Sequence, residues 1–220
     1  MLVDAFVPLK GHSERVPGKN LRDFWGRPLF EVIVETLQQA ASVRRIFIDT
    51  DDDEIAARAA RLDDVTVMRR RPELVGDDVS VNLLIRACLE AHEDIEHLLQ
   101  THATNPLLRP ETIDAAVERY EEDPSIDSLF GVTRYQARFY TAELEPINHD
   151  PTELIPTQRL APLFMENSAL YLFSRSAFFE RGHRITARTA MFEIDPAEAV
   201  DIDEERDFRL ALALAKAGGR

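Results

Sequence analysis

The chain has 220 residues, 45% of them hydrophobic and 30% charged, with 40 Asp and Glu against 26 Lys and Arg for a formal net charge of -14. That length suits one large α/β domain with a proper core, and the acidic balance excludes the basic face of a nucleic-acid binder. No apolar run approaches a membrane span, the N-terminus lacks a signal-peptide pattern, and the single Cys88 leaves no internal disulfide or thiolate zinc cluster, so a soluble cytoplasmic protein is expected.

Leu2 to Val7 reads as a buried strand interrupted only by Asp4 and Ala5, with Pro8 ending it. The following loop contains Gly11, Pro17 and Gly18. It crowds Lys10, His12, Arg15, Lys19 and Arg22 against only Glu14 and Asp23. In so acidic a chain this is a basic island. Glycine backbone N–H groups beside lysines make a concave site for phosphate oxygens, the alternative being a solvated surface turn.

Residues 28–41 carry apolar side chains at 29, 30, 33, 34 and 37, the helical spacing, with Pro28 suited to a first turn. Residues 44–50 form a second strand. Asp51, Asp52, Asp53 and Glu54 then open a helix reaching about Leu62, where acids suit the positive end of the dipole. A third strand over 65–68, a loop over 69–78 and a helix over 79–91 follow. A fourth strand over 96–100 runs into the loop 100–109, a helix spans 110–121, and a fifth strand covers 126–132. This alternation predicts a doubly wound, mostly parallel sheet with helices on both faces. Ligands of such sheets bind at the carboxyl ends of the strands.

The rhythm changes at about Thr133. Up to Pro162, Tyr135, Phe139, Tyr140, Pro146, Pro151 and Pro156 alternate with polar residues without a helical period, as expected of a flap or an arm packed on another subunit. A strand over 167–173, a helix over 174–180 and extended pieces over 190–194 and 199–202 lead to an amphipathic helix over 203–216.

Asp201 and Asp203 sit at the end of an extended piece, so both carboxylates point to one side of Ile202. Such a pair suits Mg²⁺, which takes few protein oxygens alongside water and substrate phosphates. The plainer reading has Asp203 as the cap of the last helix. The loop from Gln100 to Asn105, including His102, offers amides and hydroxyls at a strand end. His92 and His97 lack partners at metal-ligand spacing and read as surface residues. No Ser-His-Asp order, Walker A loop or G-x-G-x-x-G is present.

Five stretches, in order along the chain, resemble the CMP-acylneuraminate synthetase family. The opening V-P-L-K-G-H-S-E-R-V-P-G-K-N-L-R resembles the family's A-R-x-x-S-K-x-x-P-x-K-N. R-P-E-L-V-G-D-D-V-S is similar to R-P-x-E-L-A-x-D-x-x-S, and L-L-Q-T-H-A-T-N-P-L-L-R to L-Q-P-T-S-P-L-R with two extra residues. T-Q-R-L-A-P-L-F-M-E-N-S-A-L-Y-L-F resembles R-Q-x-L-P…N-G-A-I-Y-I, and V-D-I-D-E-E-R-D-F resembles D-I-D-T-x-x-D.

The resemblance implies a cytidylyltransferase with a nucleotide-diphospho-sugar transferase-like sheet and a dimerisation arm over 134–162. Such an enzyme would join CTP to an acidic 2-keto sugar, such as N-acetylneuraminate, and release pyrophosphate. Lys10 and Lys19, with Gly11, Ser13 and Asn20, would hold the nucleotide, joined by Arg70 or Arg71, Ser80 and Gln100. Gln100, Gln158, Arg159 and Asn167 would meet the acceptor, and Asp201 and Asp203 would bind Mg²⁺. A homodimer is implied. Lys10 stands where the pattern has arginine, keeping the charge but losing the bidentate fork. Thr157 stands where the pattern has the arginine associated with the acidic sugar, and Arg159 lies two residues on. Other acceptors (a 3-deoxy-octulosonate-like sugar or a phosphonate) and a non-catalytic nucleotide-sugar binder are the competing readings.

Overall fold

A computed structural model describes residues 1–218. Its centre is strand β1 (Val3–Leu9), a run of side chains buried on both faces with β4 (Val43–Thr50) on one side and β6 (His97–Thr101) on the other, both parallel to it. β5 (Val65–Arg69) extends the parallel set beyond β4. β8 (Leu163–Ser174) runs antiparallel to both β6 and β7 (Ser128–Tyr135), and β9 (Thr189–Glu193) closes the far edge parallel to β7. The order is β5-β4-β1-β6-β8-β7-β9, and a small hairpin, β2 (Asp23–Phe24) and β3 (Arg27–Pro28), stands apart.

Helices cover both faces, which is why the strands read as continuous apolar runs. α1 (Leu29–Gln39), α2 (Asp53–Ala59) and α4 (Pro110–Glu121) share one core with Val3, Ala5, Val7 and Leu9. α3 (Val81–Ala91) and α5 (Arg175–Arg181) pack on the other face, with Phe6, Phe47, Leu98 and Tyr171. Odd residues of β1 thus enter one core and Phe6 the other, as a two-residue side-chain period requires. α6 (Glu205–Gly218) buries Phe208 and Ala211 against Phe24 of the hairpin and Leu29. Among the described residues no helix is long and apolar enough to cross a membrane.

Several details differ from the sequence expectation. Pro8 lies inside β1 rather than ending it. Pairing to β6 stops at Phe6 and Gln100, so beyond that point only β4 flanks the strand and an imino residue is tolerated. Asp4, in the middle of the apolar run, is buried and takes forked bonds from Arg44 and Arg45. Arg134 and Tyr135 still belong to β7, so the irregular segment begins at Gln136. In the stretch 199–202, expected to be extended, Ala199 closes a turn over 196–199 and residues 200–202 belong to no strand. His92 and His97 are half-buried against the rings of Phe47 and Tyr120, not on the surface. Cys88 sits fully buried on the apolar face of α3, where burial pushes its thiol pKa up to about 12.

Candidate functional site

The carboxyl ends of β1 and β6 open into a cavity of about 470 Å³, lined by the β1 loop, by Arg70 after β5, by the start of α3 and by residues 102–104. Each wall has a local cause. The loop turns at Gly18, whose φ of 64° lies in the left-handed region that glycine enters without strain. Gly11 donates its N–H to Asp51 Oδ1 at 2.8 Å, and Asn20 donates from Nδ2 to the Lys10 carbonyl at 2.8 Å, so both flanks of the loop are tied down. Asp51 therefore has a specific task beyond favouring a helix dipole, and it is Asp52 that caps α2 by accepting from the Ile55 N–H.

The loop's cations are spread between the cavity and its acidic rim. Lys10 Nζ lies 3.1 Å from Asp77, an exposed pair of small energetic weight that leaves the ammonium free to turn inward. Lys19 reaches across the site and donates to the carbonyl of Ile202 at 2.8 Å. Burial lowers the Lys19 pKa, while Asp203 and Asp201 pull against that shift. Arg15 pairs with Asp203 at 2.8 Å, and Arg22 pairs with Glu205. Ser13, Lys10, Lys19 and Asn20 all line the cavity.

The two acids expected to bind a metal lie beside Lys19 and Arg15 without themselves lining the cavity, in unequal settings. Asp201 is largely buried near Thr104 and Lys19, and burial, its largest influence, raises its pKa. Its Oδ1 is buried with no hydrogen-bond partner. A carboxylate oxygen in that state suits a hard divalent cation, so the residues fit Mg²⁺. Asp203 is half-exposed and held by Arg15. It is not the helix cap: the N–H groups of Asp203 and Glu204 donate instead to Oδ2 of Asp207 in the first turn of α6, at 3.2 and 2.8 Å.

The remaining candidates divide. Arg70 lines the cavity and is buried, its Nε on Asp49 Oδ1 at 2.6 Å and its Nη2 on the Leu9 carbonyl at 3.1 Å, whereas Arg71 turns away toward Glu90. Ser80 caps α3 through the Asn82 N–H rather than lining the cavity. Asn167 is buried in β8, where it bonds the Thr133 hydroxyl and the Ala169 N–H at the register shift between β7 and β8. Ser168 beside it adopts φ 60°, at the place where the family pattern has glycine. Gln158 and Arg159 are exposed on a short 3₁₀ turn of the 136–162 segment and do not line this cavity. Gln100 is fully buried beneath His102, the residue that faces the cavity.

Arg184, Glu166 and Tyr171 escaped the sequence reading. The Arg184 guanidinium lies 3.5 Å over the Tyr171 ring, donates to Gln100 Oε1 and comes within 3.8 Å of Glu166. Arg184 stands in a loop without periodicity, and only the fold carries it to the end of β6.

The chain is 27% identical over 216 residues to N-acylneuraminate cytidylyltransferase A of Danio rerio and 24% identical over 225 residues to the pseudaminic acid cytidylyltransferase of Campylobacter jejuni. The matches take in 95% and 96% of this chain, with 50% of the fish protein and 95% of the bacterial one. The chain thus spans about half the length of the fish relative. Among solved structures, CMP:2-keto-3-deoxy-manno-octonic acid synthetase complexed with CTP superimposes with a TM-score of 0.71 at 14% identity, covering 99% of this chain and 100% of that one. That likeness establishes the fold, a mostly parallel α/β sheet. A family model described as cytidylyltransferase matches residues 5–216, and the chain therefore belongs to the cytidylyltransferase family.

Proposed function

We propose that this chain transfers the cytidylyl group of CTP to the anomeric hydroxyl of an acidic 2-keto sugar, giving a CMP-sugar and pyrophosphate. The observation that carries the reading is that Lys10, Lys19 and Arg15 line one cavity at the carboxyl end of β1, and that Lys19 and Arg15 tie it to Asp201 and Asp203 beside it. In nucleotidyl transfer the protein mainly positions the reactants and neutralises charge. Lys10 and Lys19 would take the triphosphate oxygens, and Val79 with the apolar start of α3 (Val81 and Leu84) would cover the nucleoside. Asp201 and Asp203 would hold Mg²⁺, whose charge offsets that of the departing pyrophosphate. Lys19, fixed on the Ile202 carbonyl, keeps the loop and the acid pair at a set separation.

The relatives include N-acylneuraminate, pseudaminic acid and 3-deoxy-manno-octulosonate cytidylyltransferases at comparable identities, which supports the acidic sugar as a class. Pyrophosphate release from CTP and Mg²⁺ should therefore appear with at least one of these three acids. Release with none of them, in a protein that still binds CTP, would favour a non-catalytic nucleotide-sugar binder.

The working form is proposed to be a homodimer joined through the 134–162 segment. Leu144 and Leu154 there are 80% and 85% exposed, with Tyr140 and Ile147 beside them in sequence, an apolar display that a second copy would cover. In that form Gln158 and Arg159 would reach the neighbouring site. A monomeric mass by light scattering at working concentration would overturn this assembly.

A further inference from the structure

His102 falls within the stretch that is longer here than the family pattern, and the structure builds an apparatus behind it. Its ring lines the cavity, and its Nε2 sits 2.8 Å from Nε2 of Gln100. Which atom donates is decided one residue further back. Arg184 has only donors, and its Nη1 bonds Gln100 Oε1, so the amide is pinned with its oxygen toward Arg184. The amide nitrogen of Gln100 then has two hydrogens to place. One goes to the Thr101 carbonyl at 3.1 Å, and the other must go to His102 Nε2. An Nε2 that accepts carries no proton, so a neutral His102 bears its proton on Nδ1.

Everything behind Arg184 serves to hold this orientation. Its guanidinium stacks on Tyr171 at 3.5 Å, its backbone N–H donates to Asn82 Oδ1 at 3.3 Å, and Tyr171 in turn donates its hydroxyl to Glu166. Burial, reinforced by Arg184 and Lys19, pushes the His102 pKa down to about 3, so the ring stays uncharged. No hydrogen bond to Nδ1 forms among the described residues. Lys10, Arg15 and Lys19 line the same cavity, and the ligand they would attract is anionic.

We infer that Arg184 and Gln100 are positioning residues that lock His102 as the Nδ1–H tautomer, and that His102 donates this N–H to an anionic oxygen of a bound substrate. That oxygen belongs either to a phosphate of CTP or to the carboxylate of the acceptor. The inference rests on the reading of the cavity as the CTP site. A neutral donor there adds a directed bond where a further positive charge would compete with Lys19 for the same oxygens.

Two measurements test it. The first needs no ligand: ¹⁵N spectra of the histidine rings at pH 7, with His102 assigned by the signals missing from His102→Asn, should show a protonated Nδ1 and a bare Nε2. Gln100→Glu, an isosteric change that removes the donor, should move the proton to Nε2 or add a second one, and Arg184→Met should give a mixture of tautomers. An Nε2–H ring in the wild type would overturn the relay, and unchanged tautomers in both variants would do so too. The second is kinetic, with CTP and N-acetylneuraminate, pseudaminate or 3-deoxy-octulosonate, whichever turns over. An Asn amide places its N–H near the Nδ1 position and a Gln amide near Nε2. His102→Asn should therefore retain most of kcat/KM, while His102→Ala and His102→Gln lose about 10–100-fold. A loss confined to the KM of CTP identifies the phosphate as acceptor of the bond, and one confined to the sugar identifies its carboxylate. Wild-type kinetics in His102→Ala would overturn the donor role. Failure of the wild type to bind CTP would sink the reading of the cavity instead, with the tautomer spectra still judging the relay.

Discussion

Lys19 and Ile202 lie 183 positions apart in sequence, yet the lysine ammonium donates to the isoleucine carbonyl at 2.8 Å. The bond joins the basic loop after β1 to the acid pair before α6. It also leaves the ammonium two donors to offer to a phosphate. Lys19→Met should fold with a near-native melting temperature and lose about 10²–10³-fold in kcat/KM, the scale of losing one preorganised charge from a transition state. Activity assay beside a thermal melt separates the two effects. An active Lys19→Met would remove the phosphate role.

The pair Asp203 and Asp207 separates metal binding from helix capping. Because Asp207 takes the amides at the start of α6, Asp207→Ala should cost about 1 kcal/mol of stability. Asp203→Asn, which loses only its ion pair to exposed Arg15, should melt as the wild type does. If Asp203 is a metal ligand, that variant should need far more Mg²⁺ for the same rate. An unchanged Mg²⁺ titration in Asp203→Asn would exclude it as a ligand.

Gly11 is held between two acids of the α2 start. A Cβ at this position would stand 2.8 Å from Asp52 Oδ2 and 2.9 Å from its Cβ, while the Gly11 N–H is already tied to Asp51. Gly11→Ala must shift either the loop or the α2 cap, at about 1–3 kcal/mol. The expected signature is a lowered melting temperature with a raised KM for CTP. Equal kinetics and stability would show that the loop yields freely.

Asp4 gives a pH dependence whose sign is fixed. Burial favours its neutral form, but the bonds from Arg45 and Arg44 outweigh that and lower its pKa from the ordinary 3.8. A carboxylate lowered in the folded state stabilises above the unfolded pKa, and that contribution fades as pH falls through the native value. Asp4→Asn should cost about 2 kcal/mol at pH 7, with the gap from wild type closing below about pH 4. Denaturant melts at pH 7 and pH 3 check this. A gap that is constant with pH would show that charge has no part in it.

The sequence by itself determined the fold class and four of the residues that line the cavity. Apolar runs of strand length alternating with helical spacing admit few solutions, and the expected helix at 110–121 coincides with α4, with its proline at the first helical position. Lys10, Ser13, Lys19 and Asn20 were legible because a loop between a strand and a helix places neighbouring residues together in space.

What only the tertiary structure decided depends on contacts between distant segments. Arg70 was separated from Arg71 because β5 delivers the first to Leu9 and Asp49 and leaves the second outside. The amides before α6 are held by Asp207 rather than capped by Asp203, since either aspartate could serve and only the backbone path selects between them. Arg184 comes beside Gln100 because β8 inserts antiparallel next to β6 and the chain after α5 folds back over it. Side-chain period reports which face a residue takes within its own element. It carries no information about which loop, 84 positions away, will supply the partner of a buried amide.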